Sequence, residues 1–278
     1  MKRDVPIKTS HLFSVLDTKL IELLRSLSDE DWQLPTIARL WTVKDIAAHL
    51  LDGNIRALSI ARDGYSGVQP ISIASYQDLL DYLNRLNADW VHAMKRMSPK
   101  VLTDLLESTG KEFSAYMVAA DPFAPAIFPV SWAGEEQSAN WFHIAREYTE
   151  KWLHQQQIRD AVNRHGIITQ ELFYPFINTM MQGLPHTYRN TEAATGTCIE
   201  ITVTTSAGGN WFLEKNEHGW QLNKEQKSEP VSIVIISPET AWKLFSKGIT
   251  ADTALQQTTI EGNKEMGKIA LTMIAVMA

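Results

Sequence analysis

Cysteine is almost missing from this chain: Cys198 is the single cysteine in 278 residues. That rules out an intrachain disulfide framework and any cysteine-built zinc site. A metal, if held, must take its ligands from Asp, Glu or the 8 histidines. A surplus of positive charge is missing too, with 26 Lys and Arg against 32 Asp and Glu and a net charge of −6. Without a basic block the chain is a poor partner for nucleic acid, where phosphate neutralisation supplies most of the affinity. Long apolar runs are also lacking. The longest, around residues 231–236 and 269–278, fall well short of the roughly 18 residues that a membrane span needs. The start, Met1-Lys2-Arg3-Asp4-Val5-Pro6, carries no export-signal pattern, so a reducing, cytoplasmic setting is expected. There is no Gly-x-Ser-x-Gly elbow for serine catalysis and no Gly-rich phosphate cradle. Gly208-Gly209 fits a hairpin turn instead.

What is present divides into two textures. Up to about residue 165, apolar residues recur at helical spacing. Leu12, Phe13, Leu16, Leu20, Leu23, Leu24 and Leu27 mark a first helix, with Thr9 or Ser10 as its cap. Thr42 with Asp45 forms a capping box that opens a second helix through Ile46, Leu50 and Ile55, ended by Gly64-Tyr65-Ser66-Gly67. Ser75 with Asp78 opens a third, which stops at Ser98-Pro99. A short helix is expected near 101–106. Pro122, Pro125 and Pro129 then impose a long loop over 119–134, and a fourth long helix is expected over 136–162. Four main helices imply a four-helix bundle.

From Thr197 the period becomes two. Ile199, Ile201 and Val203 alternate with polar residues, Gly208-Gly209-Asn210 turns the chain, and Val231, Ile233 and Ile235 alternate again. Pro238 starts a helix through Trp242 and Phe245, and a short strand near 258–260 precedes a last helix reaching Ala278. Trp242 and Phe245 suit a core, or the lining of an apolar cleft. The expected architecture is an α bundle over residues 1–165 followed by a small α+β domain over 166–278, joined by a helix over 169–187.

With cysteine excluded, the question is which His and carboxylate residues can meet. His143, Glu147, Glu150, His154 and Gln157 are spaced 4, 3, 4 and 3, so on a helix they share a sector roughly 80° wide. Glu150 and His154 stand one turn apart on one face and can share a metal ion. His49, in the middle of the second helix, is the natural third ligand. The sector also fits a solvated face opposite the apolar arc of Trp141, Ala145, Tyr148 and Trp152. Against that, the arc is unusually wide and the sector contains no Lys. His11, His92, His165, His186 and His218 lack comparable surroundings.

Two segments carry a resemblance. Trp41-Thr42-Val43-Lys44-Asp45-Ile46-Ala47-Ala48-His49-Leu50 resembles the tryptophan, short gap, Val-x-Asp, His-Leu motif of DinB-like proteins, especially the N-terminal domain of mycothiol-dependent maleylpyruvate isomerases. Arg146-Glu147-Tyr148-Thr149-Glu150-Lys151-Trp152-Leu153-His154 resembles that group's second metal segment, with Glu and His four apart. The resemblance implies a DinB-like four-helix bundle holding a divalent metal, usually zinc, through His49, Glu150 and His154, followed by a sterol-carrier-protein-like α+β domain. Reading Glu147 as the ligand would put Lys151 at the histidine position, so Glu150 is taken as the ligand. The family's basic residue in the C-terminal domain has no clear counterpart; Lys243 and Lys247 are the candidates.

The function expected from this is a metal-dependent thiol transferase or isomerase. A low-molecular-weight thiol on the metal would lose its proton near neutral pH and attack a small electrophile, with Glu147 or His143 as catalytic groups moving protons or orienting ligands. Zinc comes first as the metal, with nickel, iron or manganese as alternatives. Two rivals use the same chain differently: a metal-water hydrolase, or a non-catalytic carrier of apolar ligands with a structural metal. The expected partner is a small-molecule substrate, with neither nucleic acid nor membrane, and the chain is expected to be a monomer or homodimer.

Overall fold

The structure is a computed structural model and describes residues 3–67 and 73–277. Met1, Lys2 and Ala278, which the sequence reading touched, lie outside them. A 3-10 turn, Ser10–Leu12, leads into α1 (Phe13–Arg25), and Thr9 makes no side-chain cap. α2 (Val43–Arg56) opens on the capping box of Thr42 and Asp45 and runs on as a π-helix, Ala57–Arg62. α3 (Tyr76–Met94) opens on the second box, Ser75 with Asp78.

The short helix expected near 101–106 is in fact α4 (Pro99–Ala119), 21 residues long. Ser98 caps it, and Pro99 sits in the first turn, where a missing N–H costs nothing. Gly110 weakens the helical pattern in sequence, but packing requires it. A Cβ there would lie 2.8 Å from Asp17 Oδ2 on α1. α5 (Asn140–Ala161) begins four residues later than expected, because Ser138, bonded to Glu135, still belongs to the loop.

The bundle therefore consists of α1, α2, α4 and α5, which pack on one another. α3, expected as one of the four, packs against α2 from outside. Val91 is its buried apolar residue, and Trp90 Nε1 donates to the Ala48 carbonyl (2.8 Å).

The expected linking helix is α6 (Gln170–Met180), followed by a 3-10 turn and α7 (Leu184–Thr187). The α+β texture then forms a 5-stranded sheet in the order β3-β2-β1-β4-β5. Its strands are β1 (Cys198–Val203), β2 (Gly209–Asn216), β3 (Gly219–Asn223), β4 (Pro230–Ile236) and β5 (Thr259–Gly262). Only the β1–β4 pairing is parallel. α8 (Pro238–Phe245) and α9 (Ala251–Leu255) link β4 to β5, and α10 (Lys264–Ala270) follows β5. The last helix is thus shorter than the expected run to Ala278.

Ser232, Val234 and Ile236 are buried on β4, not Val231, Ile233 and Ile235. The parallel register pairs them with Ile199, Ile201 and Val203, and paired residues share a face of the sheet. No helix among the described residues is long and apolar enough to cross a membrane.

The change of texture near residue 165 is not a gap in packing. One continuous core joins Phe13 of α1, Phe113 of α4, Trp152 of α5, Phe173 and Phe176 of α6, Ile199 and Ile201 of β1, and Trp242 and Phe245 of α8. Trp152 is its hinge point. Its ring stacks on Phe176 at 4.0 Å and tilts against Phe173 at 5.3 Å, and its Nε1 donates to the Ile167 carbonyl (3.2 Å). Trp152→Ala should cost about 3–5 kcal/mol, and the wild-type chain should unfold in one transition. Urea denaturation followed by far-ultraviolet circular dichroism and by tryptophan fluorescence checks both. Two separated transitions would show the bundle and the sheet unit to be independent.

Candidate active site

The site lies on the seam between α2 and α5. Thr42 Oγ1 accepts from the Asp45 N–H (3.3 Å) and Asp45 Oδ2 from the Thr42 N–H (3.1 Å). That box fixes the start of α2 about two turns before His49. On the other side, α5 is buried around most of its circumference. His143 and Gln157 are each 6% exposed, so the polar sector of α5 is not a solvated face.

The structure brings His49 and His154 together. Their rings meet edge to face, with centroids 4.6 Å apart and planes at 83°. Trp41 covers His49 from behind, at 4.8 Å. His154 Nδ1 lies 2.8 Å from Gln157 Oε1. An amide oxygen can only accept, so Nδ1 carries the proton and Nε2 is left with its lone pair. Yet Nε2 faces the Glu150 carboxylate at 3.4 Å. Two acceptors facing each other repel unless a second proton or a cation lies between them. His49 Nδ1 is buried with no hydrogen-bond partner. An orphaned imidazole nitrogen and an imidazole–carboxylate pair short of one positive charge fit a divalent ion. Two imidazoles and a carboxylate are also a donor set that zinc accepts. As the side chains stand, no group of three or more His, Cys, Asp or Glu among the described residues is gathered tightly enough to hold a metal.

A second proton on His154 would act on both of its neighbours. Burial holds His49 well below its ordinary value, and the charges of His154 and Arg56 add to the effect. Burial acts to raise the Glu150 carboxyl, but its hydrogen bond to His154 and the charges of His154, Arg146 and Arg56 outweigh it and hold the group below its usual range. Near neutral pH, His49 is uncharged and Glu150 ionised.

The two expected catalytic groups are joined to each other through a third residue. Arg146 Nη2 reaches both His143 Nδ1 (3.0 Å) and Glu147 Oε1 (2.5 Å). Burial lowers His143 despite Glu147 and with help from Arg146. No hydrogen bond joins this cluster to His49 or His154 among the described residues. Lys151 takes no part in the seam. It is buried against Asp17 of α1 (3.1 Å), which also accepts from Ser114 Oγ (3.1 Å). This placement favours Glu150–His154 over Glu147–Lys151 as the metal-segment pair.

Sequence reasoning missed Asp52 and Arg56, although their spacing from His49, three and seven residues, puts all three on one face of α2. Arg56 Nε lies 3.0 Å from Asp52 Oδ2. Lys243 is tied to Asp160 of α5 (3.0 Å) and Lys247 to the Met277 carbonyl (3.4 Å). The lysine with a perturbed ammonium is Lys224, which lies over Trp211 at 4.3 Å and is pushed down to about 7 by desolvation. Cys198 is buried, and burial, then Glu214 and Glu200, push its thiol up to about 11. A cleft of about 620 Å³ lies elsewhere, between residues 165–170, 205–207 and 237–239, and includes none of the seam residues.

Comparison with known proteins gives two findings. The family model described as mycothiol maleylpyruvate isomerase N-terminal domain matches residues 13–159. The crystal structures of the mycothiol-dependent maleylpyruvate isomerase and of a histidine-to-alanine mutant of it superpose with a TM-score of 0.53, at 9% identity, covering 91% of this chain and 91% of theirs. At that identity the likeness concerns the fold. No curated protein matches the chain.

The depressed His49 has a measurable consequence. The unfolded chain takes up a proton below the ordinary value of 6.5 that the folded chain refuses, so stability falls as pH drops through that point. Glu150 adds a second loss at lower pH, because its stabilisation is complete only above its ordinary 4.5. In chelator-treated protein, His49→Leu should flatten the curve of melting temperature against pH between about 6.5 and 5, leaving the lower descent in place. An unchanged curve would show that His49 is not held neutral by the fold.

Proposed function

The chain belongs to the family of the mycothiol maleylpyruvate isomerase N-terminal domain, and from that premise we propose that it is a thiol-dependent isomerase or thiol transferase with a divalent metal on the α2–α5 seam. The observation that carries this reading is the meeting of His49 and His154 from two helices, with Glu150 against the second imidazole. His49, Glu150 and His154 would hold the ion, with zinc as the first choice. Once bound, the metal would lower the pKa of a low-molecular-weight thiol and supply a thiolate near neutral pH.

The chain's own residues prepare that site. Burial keeps His49 neutral, with a lone pair free to bind. Gln157 accepts from His154 Nδ1 and so fixes the tautomer that offers Nε2. Trp41 closes the back of His49 against water. Arg146 holds the Glu147 carboxylate in place through a short ion pair, which suits it to take or return a proton on a substrate carbon or oxygen. His143, with Nδ1 accepting from Arg146, could pass a proton only at Nε2. A thiol from solution is needed in any case, because the Cys198 thiol is buried on β1 and protonated. The substrate class this supports is a small unsaturated keto acid, as in the relative's name.

Protein purified without a tag should carry about one divalent ion per chain, measured by inductively coupled plasma mass spectrometry, and His154→Ala should lose it. Isomerisation of maleylpyruvate should require added mycothiol, with bacillithiol and glutathione as comparison thiols. Full metal content in His154→Ala would refute the ligand assignment. Turnover without any thiol would move the reading to metal-assisted hydrolysis.

A further inference from the structure

Arg56 is not explained by the roles given so far. It lies on α2 seven residues beyond His49 and four beyond Asp52, within about 60° of one helix face. Asp52 is 6% exposed, and a carboxylate buried to that degree needs a partner. Arg56 answers it with Nε alone, at 3.0 Å. Neither Asp52 Oδ2 nor Arg56 Nε completes a well-directed hydrogen bond, so the contact is one of charge more than of geometry. Among the described residues nothing accepts a hydrogen bond from the two terminal nitrogens of Arg56, and 35% of its side chain stays open.

The neighbouring arginines differ. Arg146 Nη2 is occupied by Glu147 and His143, while its buried Nε finds no partner among the described residues. Arg62, one and a half turns further on, is held by Asp63 and Glu112. Arg56 differs in that neither of its terminal nitrogens has an acceptor among the described residues and its side chain is 35% exposed, against 15% for Arg146. The backbone changes at the same place. α2 ends at Arg56 and the chain continues as a π-helix from Ala57, a rare geometry that is frequent at functional sites. Arg56 lies two turns from His49 on one face of α2, and its charge also acts on His49 and Glu150.

We propose that Arg56 is the anion anchor of this site: Asp52 holds its Nε, and its two terminal nitrogens grip a carboxylate of the substrate beside His49, Glu150 and His154. A planar guanidinium matches a carboxylate with two parallel hydrogen bonds, which a lysine cannot do. The proposal rests on the reading of the seam as an active site and adds the residue that selects an acidic substrate there.

The test uses maleate as a carboxylate probe and dimethyl maleate as its uncharged counterpart, titrated calorimetrically into the purified protein. Maleate should bind wild type and bind Arg56→Gln at least ~10-fold more weakly, the loss expected of one charge-assisted pair. Arg56→Lys, which keeps the charge but not the fork, should fall between them and guards against misfolding of the Gln variant. Arg85→Gln, at an exposed position on α3, should match wild type, and dimethyl maleate should not distinguish any of the proteins. In turnover, Arg56→Gln should raise KM with kcat little changed, the signature of lost uniform binding. Equal maleate affinity in wild type and Arg56→Gln, or no maleate binding by wild type, overturns the anchor. The two readings fail separately: thiol-dependent turnover with KM unchanged in Arg56→Gln removes the anchor and keeps the function. Arg56-dependent maleate binding without thiol-dependent turnover keeps the anchor and removes the function.

Discussion

The contact on which the site depends is the edge-to-face meeting of His49 and His154 across the α2–α5 seam. Two imidazoles cannot be buried against each other without every remaining nitrogen being accounted for. Gln157 takes one, Glu150 faces another, and one nitrogen of His49 has no partner among the described residues. The orphaned nitrogen and the approach of His154 to Glu150 are what the proposed cation would satisfy. The rest of the seam follows the same rule of paired charge, with Asp52 against Arg56 and Glu147 against Arg146.

α5 can present this row only because its other faces are committed. Trp152 and Tyr148, opposite the histidine sector, lie in the core shared with α6. Between those two faces Lys151 reaches Asp17 of α1. A buried ion pair adds little net stability, but removing one partner is costly, so the pair fixes the rotation of α5 about its axis. One helix thus sets the seam, the bundle and the junction with the sheet unit. The bundle and the sheet share one core, and a change in either is felt along α5.

The small unit contributes no sulfur chemistry of its own. Its one thiol is buried in β1 beside Glu214 and Glu200, and lacks the electropositive surroundings that make a cysteine reactive. Its lysines are mostly bound up, Lys243 with Asp160 and Lys247 with the tail of the chain. The cations next to the histidine pair come from the bundle, Arg56 on α2 and Arg146 on α5.

Much of this was legible in the chain itself. Both capping boxes, the two textures and the Glu-x-x-x-His spacing are local patterns, and local geometry sufficed to read them. The meeting of His49 with His154 was only an expectation, because two helices can face each other in many rotations and packing alone selects one. The same limit explains the errors. Gly110 hid the length of α4 because its reason is Asp17 of another helix. The buried face of β4 was not legible because alternation shows two faces without saying which one the parallel partner turns inward. Asp52 and Arg56 passed unnoticed because charged residues on a helix ordinarily face water. The sequence determined the elements, their caps and the donor types available for a metal. The tertiary structure decided which faces meet, because a buried polar group finds its partner in space and not in sequence, as Lys151 does in Asp17.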